Sequence, residues 1–479
     1  MFKFTKKEVI FLGVLLLLSS FVRFYGLSDQ EVIKDEFAIL FPRHDAMVNS
    51  LNDFFLIPPQ DHWDRVTGYN YTSDYAGYHF NKGTQSSTTP LSWWFVSISL
   101  FIFGKNVFGA RFIPLLFSLL SILLFYFIVR KIYGKNYAMV GAFLLSFYPF
   151  YLTMLRVGQT LEPIALFFFL AALYSLLFFN GHYRRILWLL FFSLMFLSNF
   201  PKAFILAGIM FFWEFQKLVY NTKSRIKRLF SLCLFYIVAI IPSALWAIVR
   251  AKFYGFDNLW FLQHVFARGS NEPFRILEVL YSYSSTKQGA LLIILEAYGV
   301  FVFIRSIYNK KNLDLASNLN LLWLLMITLI PSLFLFSKQA GAWSHAMASI
   351  PIVIFATNGI FSLYNNIKAK KYMFYLFIFF VNWFYILLVK NMGDLINFVP
   401  RNDADALTLY YSVFIQLLSS WSFVFQMTLL ILFSLFFAVV YWYKLISEDK
   451  LKEALFYSLF LSLLFFFLHT VYLVVFNLM

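Results

Sequence analysis

The chain has 479 residues, of which 61% are hydrophobic and only 13% are charged, and its mean hydropathy is +0.72. A soluble protein has about a quarter of its residues charged, so this composition excludes an ordinary cytosolic enzyme and a disordered chain. The apolar residues form runs of roughly 15 to 25, which excludes an outer-membrane β-barrel. The net charge of +16 does not indicate nucleic-acid binding, because the basic residues lie thinly between the apolar runs, where they set topology. The single cysteine, Cys233, excludes an intramolecular disulfide.

Apolar runs long enough to cross a bilayer predict a polytopic, all-α membrane protein with about 13 transmembrane helices. The first run lacks an Ala-x-Ala exit, so we interpret it as a retained span and not as a cleavable signal peptide. One run, 186–200, is short but is bracketed by Arg184, Arg185 and Pro201. The other predicted spans are 8–27, 110–130, 136–154, 163–180, 203–220, 229–249, 289–307, 319–336, 346–363, 371–389, 422–443 and 453–477.

The run 91–103 is too short for a span and opens on Trp93 and Trp94, which favours an interfacial helix. With this interpretation, the short loops assigned to the cytoplasm carry 22 of the 39 lysines and arginines, as the positive-inside rule requires. Counting the run as a span would place every basic cluster outside. The outer side then receives three long loops, at 28–109, 250–288 and 390–421.

Four polar segments fall on the outer face under this topology. Carboxylates and cations that return repeatedly to one membrane face indicate a polar site just outside the bilayer. The alternative is that charges simply collect in loops. The segments are Asp35-Glu36, Arg156 to Glu162, Asn199 to Lys202, and Lys338 to His345.

The order of these segments resembles that of a known family. An Asp35-Glu36 pair just after the first span, followed by a long outer loop, resembles the opening of the GT-C glycosyltransferases that use lipid-linked sugars. Thr89-Pro90-Leu91 before two tryptophans looks like that group's Pro-Pro-Leu-aromatic segment, and 103–114 is similar to its Phe-Gly … Ala-Arg stretch. The most similar types are the protein O-mannosyltransferases and the lipid A aminoarabinose transferase. The likeness covers residues 10 to about 210.

The resemblance implies a mechanism without a general acid, because a polyprenyl phosphate already leaves as a stabilised anion. It needs one base for the acceptor hydroxyl and cations for the departing phosphate. Asp35 matches the family's leading carboxylate and is the candidate base, which implies inversion at the anomeric carbon. Glu36 is a candidate neighbour of this base or a solvated residue, and Glu162, where the family often has aspartate, is the second candidate carboxylate.

Three basic residues, Arg156, Lys202 and Lys338, are the candidate ligands of the donor phosphate. The two lysines also admit a reading as side chains that snorkel to the membrane surface. His345 is a fourth candidate for the phosphate, with a purely structural role as its alternative. The spacings of His44, His62 and His79 match no standard zinc signature, so we expect no cofactor and no obligatory metal, with a divalent ion left open.

We therefore expect a GT-C catalytic membrane module over 1–220, a second transmembrane region over 221–479, and no soluble domain. The expected activity moves a sugar from a polyprenyl-phosphate donor to a hydroxyl on a protein, lipid or glycan. We expect the site on the outer face of a bacterial plasma membrane. A polytopic transporter or flippase is the alternative, although a transporter should carry charged or broken positions near mid-membrane.

Overall fold

The computed structural model describes residues 4–25, 27, 41–57, 90–148, 151–152, 162–219, 225–254, 289–308, 319–326 and 348–366. Within these ranges the regular structure is helical and includes no strand. The helices are α1 (Lys6–Phe24), α2 (Phe41–Val48), α3 (Leu51–Leu56), α4 (Pro90–Phe103), α5 (Val107–Tyr133), α6 (Lys135–Phe147), α7 (Glu162–Phe178), α8 (Gly181–Ser198), α9 (Phe200–Val219), α10 (Arg225–Tyr254), α11 (Gly289–Tyr308) and α12 (Ser349–Asn366). A further helical segment covers 319–326.

Each predicted span that the structure describes is helical over most of its described residues, but the number of thirteen spans is not confirmed. Two helices in the described ranges, Val107–Tyr133 and Leu229–Phe253, are long and apolar enough to cross a membrane by length and composition. The predicted spans 371–389, 422–443 and 453–477 lie outside the described residues.

Local sequence signals set several helix ends. Thr5 and Glu8 form a capping box at the start of α1: the Thr5 hydroxyl accepts from the Glu8 backbone N–H at 3.3 Å, and the Glu8 carboxylate accepts from the Thr5 backbone N–H at 2.9 Å. Asn106 caps α5 through the backbone N–H of Gly109 at 2.8 Å. Gly134, with a φ of 92°, separates α5 from α6 in a conformation that favours glycine.

Helices α1 and α5 to α8 pack side by side in alternating directions. Close to the start of α1, Glu8 pairs with Arg130 near the end of α5 at 2.7 Å. At the other end of the pair, Phe24 packs on Phe112 with ring centroids 5.6 Å apart. Helix α8 also packs on α10, where the rings of Trp188 and Phe235 stack with centroids 3.8 Å apart.

This alternation gives the bundle two distinct ends. One end of the bundle, called the site end, is where α5, α7 and α9 begin and where α1, α6, α8 and α10 end. The opposite end is called the basic end, because several basic residues of the described ranges lie there: Lys6, Lys7, Arg130, Lys131, Lys135, Arg184 and Arg185.

Helix α4 lies across the site end and does not run the length of the bundle. Near its start, the Ser92 hydroxyl donates to the carbonyl oxygen of Ser198, the last residue of α8, at 2.6 Å. At its other end, Phe103 packs on Phe112 in the second turn of α5, with ring centroids 4.7 Å apart. Both ends of α4 therefore lie at the same end of the bundle, a position that suits an interfacial helix.

Long apolar faces are exposed on α1 and α10. On α10 they include Phe230, Leu234, Ile237, Ile241 and Leu245, at one-turn spacing. A continuous exposed apolar face of this length would be unfavourable in water and indicates that lipid surrounds the helix.

Residues 289–302 and 355–366 form a second compact unit, and the other described residues belong to the first. In the second unit, α11 and α12 touch backbone to backbone at Gly299 and Gly359. A Cβ on Gly299 would overlap the carbonyl oxygen of Phe355, and one on Gly359 would overlap that of Leu295. Small residues at such crossings are a usual means of packing helices in membranes.

Candidate active site

Two of the seven predicted site residues fall within the described ranges, and both belong to the site end. They are Glu162, which opens α7, and Lys202, which lies in the first turn of α9. The other five lie outside the described residues: Asp35, Glu36, Arg156, Lys338 and His345.

Glu162 is a buried carboxylate at a helix N-terminus, with 6% of its surface exposed. Helix α7 begins here because Pro163 follows, and proline suits the first turn, where its missing N–H has no helical partner. The positive end of the helix dipole stabilises a carboxylate at this point, which offsets part of the cost of burying it.

Lys202 is brought to the same end by a sharp turn between α8 and α9. Asn199 alone joins the two helices: its N–H donates to the Met195 carbonyl at 3.2 Å, and its carbonyl accepts from the Ala203 N–H at 2.8 Å. Helices α7 and α8 run antiparallel, and only two residues join them at the basic end. The start of α7, with Glu162, therefore lies at the same end as the end of α8 and the start of α9. The fold thus gathers a carboxylate and a lysine position from two separate predicted segments.

The motif segments of the predicted family meet at this end as well. Pro90 opens α4, as expected of a proline at the first helical position. Arg111 lies in the first turns of α5 with only 2% of its surface exposed. Segments far apart in sequence therefore converge on one end of one bundle.

Helices α2 and α3 pack on α4 and are held by hydrogen bonds to the C-terminal carbonyls of α3. The Trp94 indole donates to the Phe54 carbonyl at 3.0 Å, and the Trp246 indole donates to the Phe55 carbonyl at 2.8 Å. The Arg250 guanidinium donates to the Ile57 carbonyl at 2.8 Å. These donors satisfy carbonyls that a helix end leaves without helical partners, and the arginine also suits the negative end of the helix dipole.

A second set of contacts ties α2 to α4 and to the start of α5. His44, which is buried, shares a hydrogen bond of 2.8 Å with the Ser97 hydroxyl. The neighbouring Asp45 pairs with Lys105 at 3.0 Å in an exposed salt bridge. Burial lowers the pKa of His44 below its usual value, with Asp45 raising it and Lys105 lowering it to smaller extents.

Sequence reasoning did not assign a role to His44, Trp246 or Arg250. An arginine at the end of a long apolar run was a usable signal for Arg250, since such a residue is costly in a membrane unless it is partnered. No metal-binding group of three or more His, Cys, Asp or Glu side chains occurs among the described residues.

Comparison with known proteins identifies the motif region. Residues 87–246 match the family model described as dolichyl-phosphate-mannose-protein mannosyltransferase. This segment contains α4 and most of α10 and includes Glu162 and Lys202. An uncharacterized protein from Aquifex aeolicus (strain VF5) is 29% identical over 138 residues, so the chain matches 28% of that relative's length.

The fold is similar to that of a solved structure. The crystal structure of ArnT from Cupriavidus metallidurans in the apo state matches with a TM-score of 0.59 at 13% identity, over 98% of this chain and 76% of that chain. The structure of that protein bound to undecaprenyl phosphate matches with a TM-score of 0.58 at 11% identity, over 98% and 78%.

These findings agree with the resemblance that the motifs predicted. The chain has a fold similar to that of ArnT, residues 87–246 match the mannosyltransferase family model, and the apolar helices support a location in a membrane.

Proposed function

We propose that this protein is an inverting glycosyltransferase that moves a sugar from a polyprenyl-phosphate donor to a hydroxyl group on a protein, lipid or glycan. The observation that carries the proposal is the convergence of the matched region at the site end, where α7 begins with Glu162 and the first turn of α9 contains position 202. The similarity to a fold that binds undecaprenyl phosphate in ArnT supports a lipid-linked donor.

The chemistry needs few groups. Asp35 takes the proton from the acceptor hydroxyl as the oxygen attacks the anomeric carbon, and the bond to the donor phosphate breaks. Arg156, Lys202 and Lys338 stabilise the phosphate as its negative charge develops, with His345 as a further ligand. Glu36 and Glu162 orient the acceptor side of the site. No cofactor takes part, and the proposal requires no metal.

The site end faces the outside of the cell membrane in this proposal. Its support is the placement of basic side chains of the first unit at the basic end, which by the positive-inside rule is cytoplasmic. A lipid-linked donor lies in the same leaflet as such a site.

The test is transfer of label from radiolabelled polyprenyl-phosphate sugars by membranes that contain the wild type, Asp35→Asn or Glu162→Gln. Asp45→Asn is the matched control, because this exposed carboxylate lies close to Asp35 in sequence and pairs only with the surface residue Lys105 among the described residues. We expect transfer by the wild type and the control and none by Asp35→Asn.

Two outcomes would contradict the proposal. Full activity of Asp35→Asn would remove Asp35 as the base. Absence of transfer from every donor, with correctly inserted protein, would contradict the transferase and favour a transporter. Transfer that survives EDTA would support the absence of a metal, and loss that Mg²⁺ or Mn²⁺ restores would contradict it.

A further inference from the structure

Arg23 is a fully buried arginine in the last turn of α1, with 0% of its surface exposed. Among the described residues, no carboxylate pairs with it. A buried charge inside an apolar bundle is costly and is normally partnered or functional.

The guanidinium joins three helices. Its Nε donates to the Ser118 hydroxyl of α5 at 2.9 Å, and its Nη1 donates to the Ser146 carbonyl of α6 at 3.0 Å. Nη1 also donates to the Ser19 carbonyl of α1 at 3.2 Å and to the Ser19 hydroxyl. The Ser118 hydroxyl donates its own proton to the Leu115 carbonyl at 2.7 Å, which leaves its oxygen to accept from Arg23.

Helix dipoles explain why the charge is tolerated at this position. Ser19 and Ser146 both lie in the last turns of their helices, so the guanidinium sits at the negative ends of α1 and α6. The fork of Arg23 therefore uses two of its nitrogens to tie these two helix ends to α5. Its third nitrogen, Nη2, has no hydrogen-bond partner in the described part of the chain.

The two tied ends lead into the segments that carry the predicted chemistry. Asp35 follows Arg23 by 12 residues, and Arg156 follows Ser146 by 10. Tyr151, which is fully buried after α6, precedes Arg156 by five residues. One side chain thus fixes the starting points of both segments relative to α5.

We propose that Arg23 is a positioning residue: by joining the ends of α1 and α6 to Ser118, it sets the relative placement of the segments that carry Asp35 and Arg156. This inference rests on the proposed transferase function. Arg23 does not touch the donor or the acceptor. Its effect is on how the reacting groups are aligned, and misalignment by roughly 1 Å costs about 100-fold in rate.

The test compares Arg23→Lys, Arg23→Met and Ser118→Ala with a control at the other end of the same helix pair. Lysine keeps the charge but lacks the planar fork, so it cannot reproduce the bonds of Nε and Nη1 together. The control is the double variant Glu8→Gln/Arg130→Met, which removes a second buried arginine where no predicted site residue lies. Activity is expressed per folded protein.

We expect Arg23→Lys to lower kcat by about 100-fold and Ser118→Ala several-fold, while the donor KM changes by less than about two-fold. The double variant Arg23→Lys/Ser118→Ala should be no slower than Arg23→Lys, because both changes break the same bond. The control should keep the wild-type kcat. If Arg23→Met does not fold, the kcat values of Arg23→Lys and Ser118→Ala test the inference.

The inference is overturned if folded Arg23→Lys and Ser118→Ala keep the wild-type kcat, or if every variant, the control included, loses activity to the same degree. Failure of the proposed function is a separate result, seen as no transfer by the wild type. In that case the test is whether Arg23 holds the end of α1 against the start of α5. Spin labels are placed at positions 25 and 105 on a Cys233→Ser background. The distribution of distances between the two labels should broaden in Arg23→Lys and stay unchanged in the control. An unchanged distribution in Arg23→Lys would overturn the inference.

Discussion

Glu8 offers a quantitative test of the packing between α1 and α5. Its carboxylate accepts from Arg130 Nε at 2.7 Å, from Arg130 Nη2 at 3.3 Å and from the Tyr126 hydroxyl at 3.1 Å. The two partners are shielded, with 2% of the Glu8 side chain and 9% of the Arg130 side chain exposed. Glu8→Gln leaves the arginine buried without its counter-charge, and breaking such a pair costs about 3–5 kcal/mol.

The exposed pair of Lys105 and Asp45 is the matched control. Its distance is 3.0 Å, but 51% and 37% of the two side chains are exposed, so Asp45→Asn should cost only about 0–1 kcal/mol. The double variant Glu8→Gln/Arg130→Met removes both buried charges and should recover most of the loss, because it leaves no unpaired charge. Thermal unfolding in detergent, followed by tryptophan fluorescence, gives the order of the midpoints. Equal midpoints for Glu8→Gln and Asp45→Asn would refute the reasoning that burial decides the strength of the pair.

Three further predictions use the same unfolding assay. Trp246→Phe removes the indole donor to the Phe55 carbonyl and should cost about 1 kcal/mol, and a wild-type midpoint would show that this bond does not hold α3. Gly299→Ala should cost about 2 kcal/mol or more because its Cβ overlaps the α12 backbone, whereas Gly13→Ala, which meets nothing within 4 Å, should be neutral or stabilising. The lowered pKa of buried His44 means that the unfolded chain binds its proton more readily, so stability should fall as pH drops below the ordinary value of 6.5. A His44→Gln variant should lack that decline, and an equal decline in both proteins would contradict it.

Hydropathy predicted the helices because a bilayer leaves few alternatives to an apolar helix. The positions of the helix ends were harder to predict. The run 136–154 predicts a longer helix than α6, which ends at Phe147 because Tyr148 precedes a proline and takes an extended conformation, with a ψ of 113°. The break between 186–200 and 203–220 was visible in advance, since Asn199 and Pro201 interrupt the apolar pattern.

The sequence allowed two of the predicted site positions to be placed at one end of the bundle, but it gave no sign of the contacts that support this end. Glu162 and Lys202 stood out as polar residues beside apolar runs, and antiparallel packing of neighbouring helices is enough to bring their segments to one end. The contacts that hold α3 were not predictable. They join side chains of α4 and α10 to backbone carbonyls, and a carbonyl acceptor leaves no mark in the sequence.

Arg23 and Arg130, at opposite ends of the α1–α5 pair, differ in their partners and in their surroundings. Arg130 has a carboxylate at 2.7 Å and lies at the basic end, so packing alone explains it. Arg23 is buried more completely and meets only hydroxyl and carbonyl oxygens in the described part of the chain, at the end that leads into Asp35. A methionine in its place would avoid the desolvation cost, since apolar residues of similar volume often replace buried charges without loss of stability. The arginine is therefore better explained by the proposed alignment of the site than by the stability of the bundle.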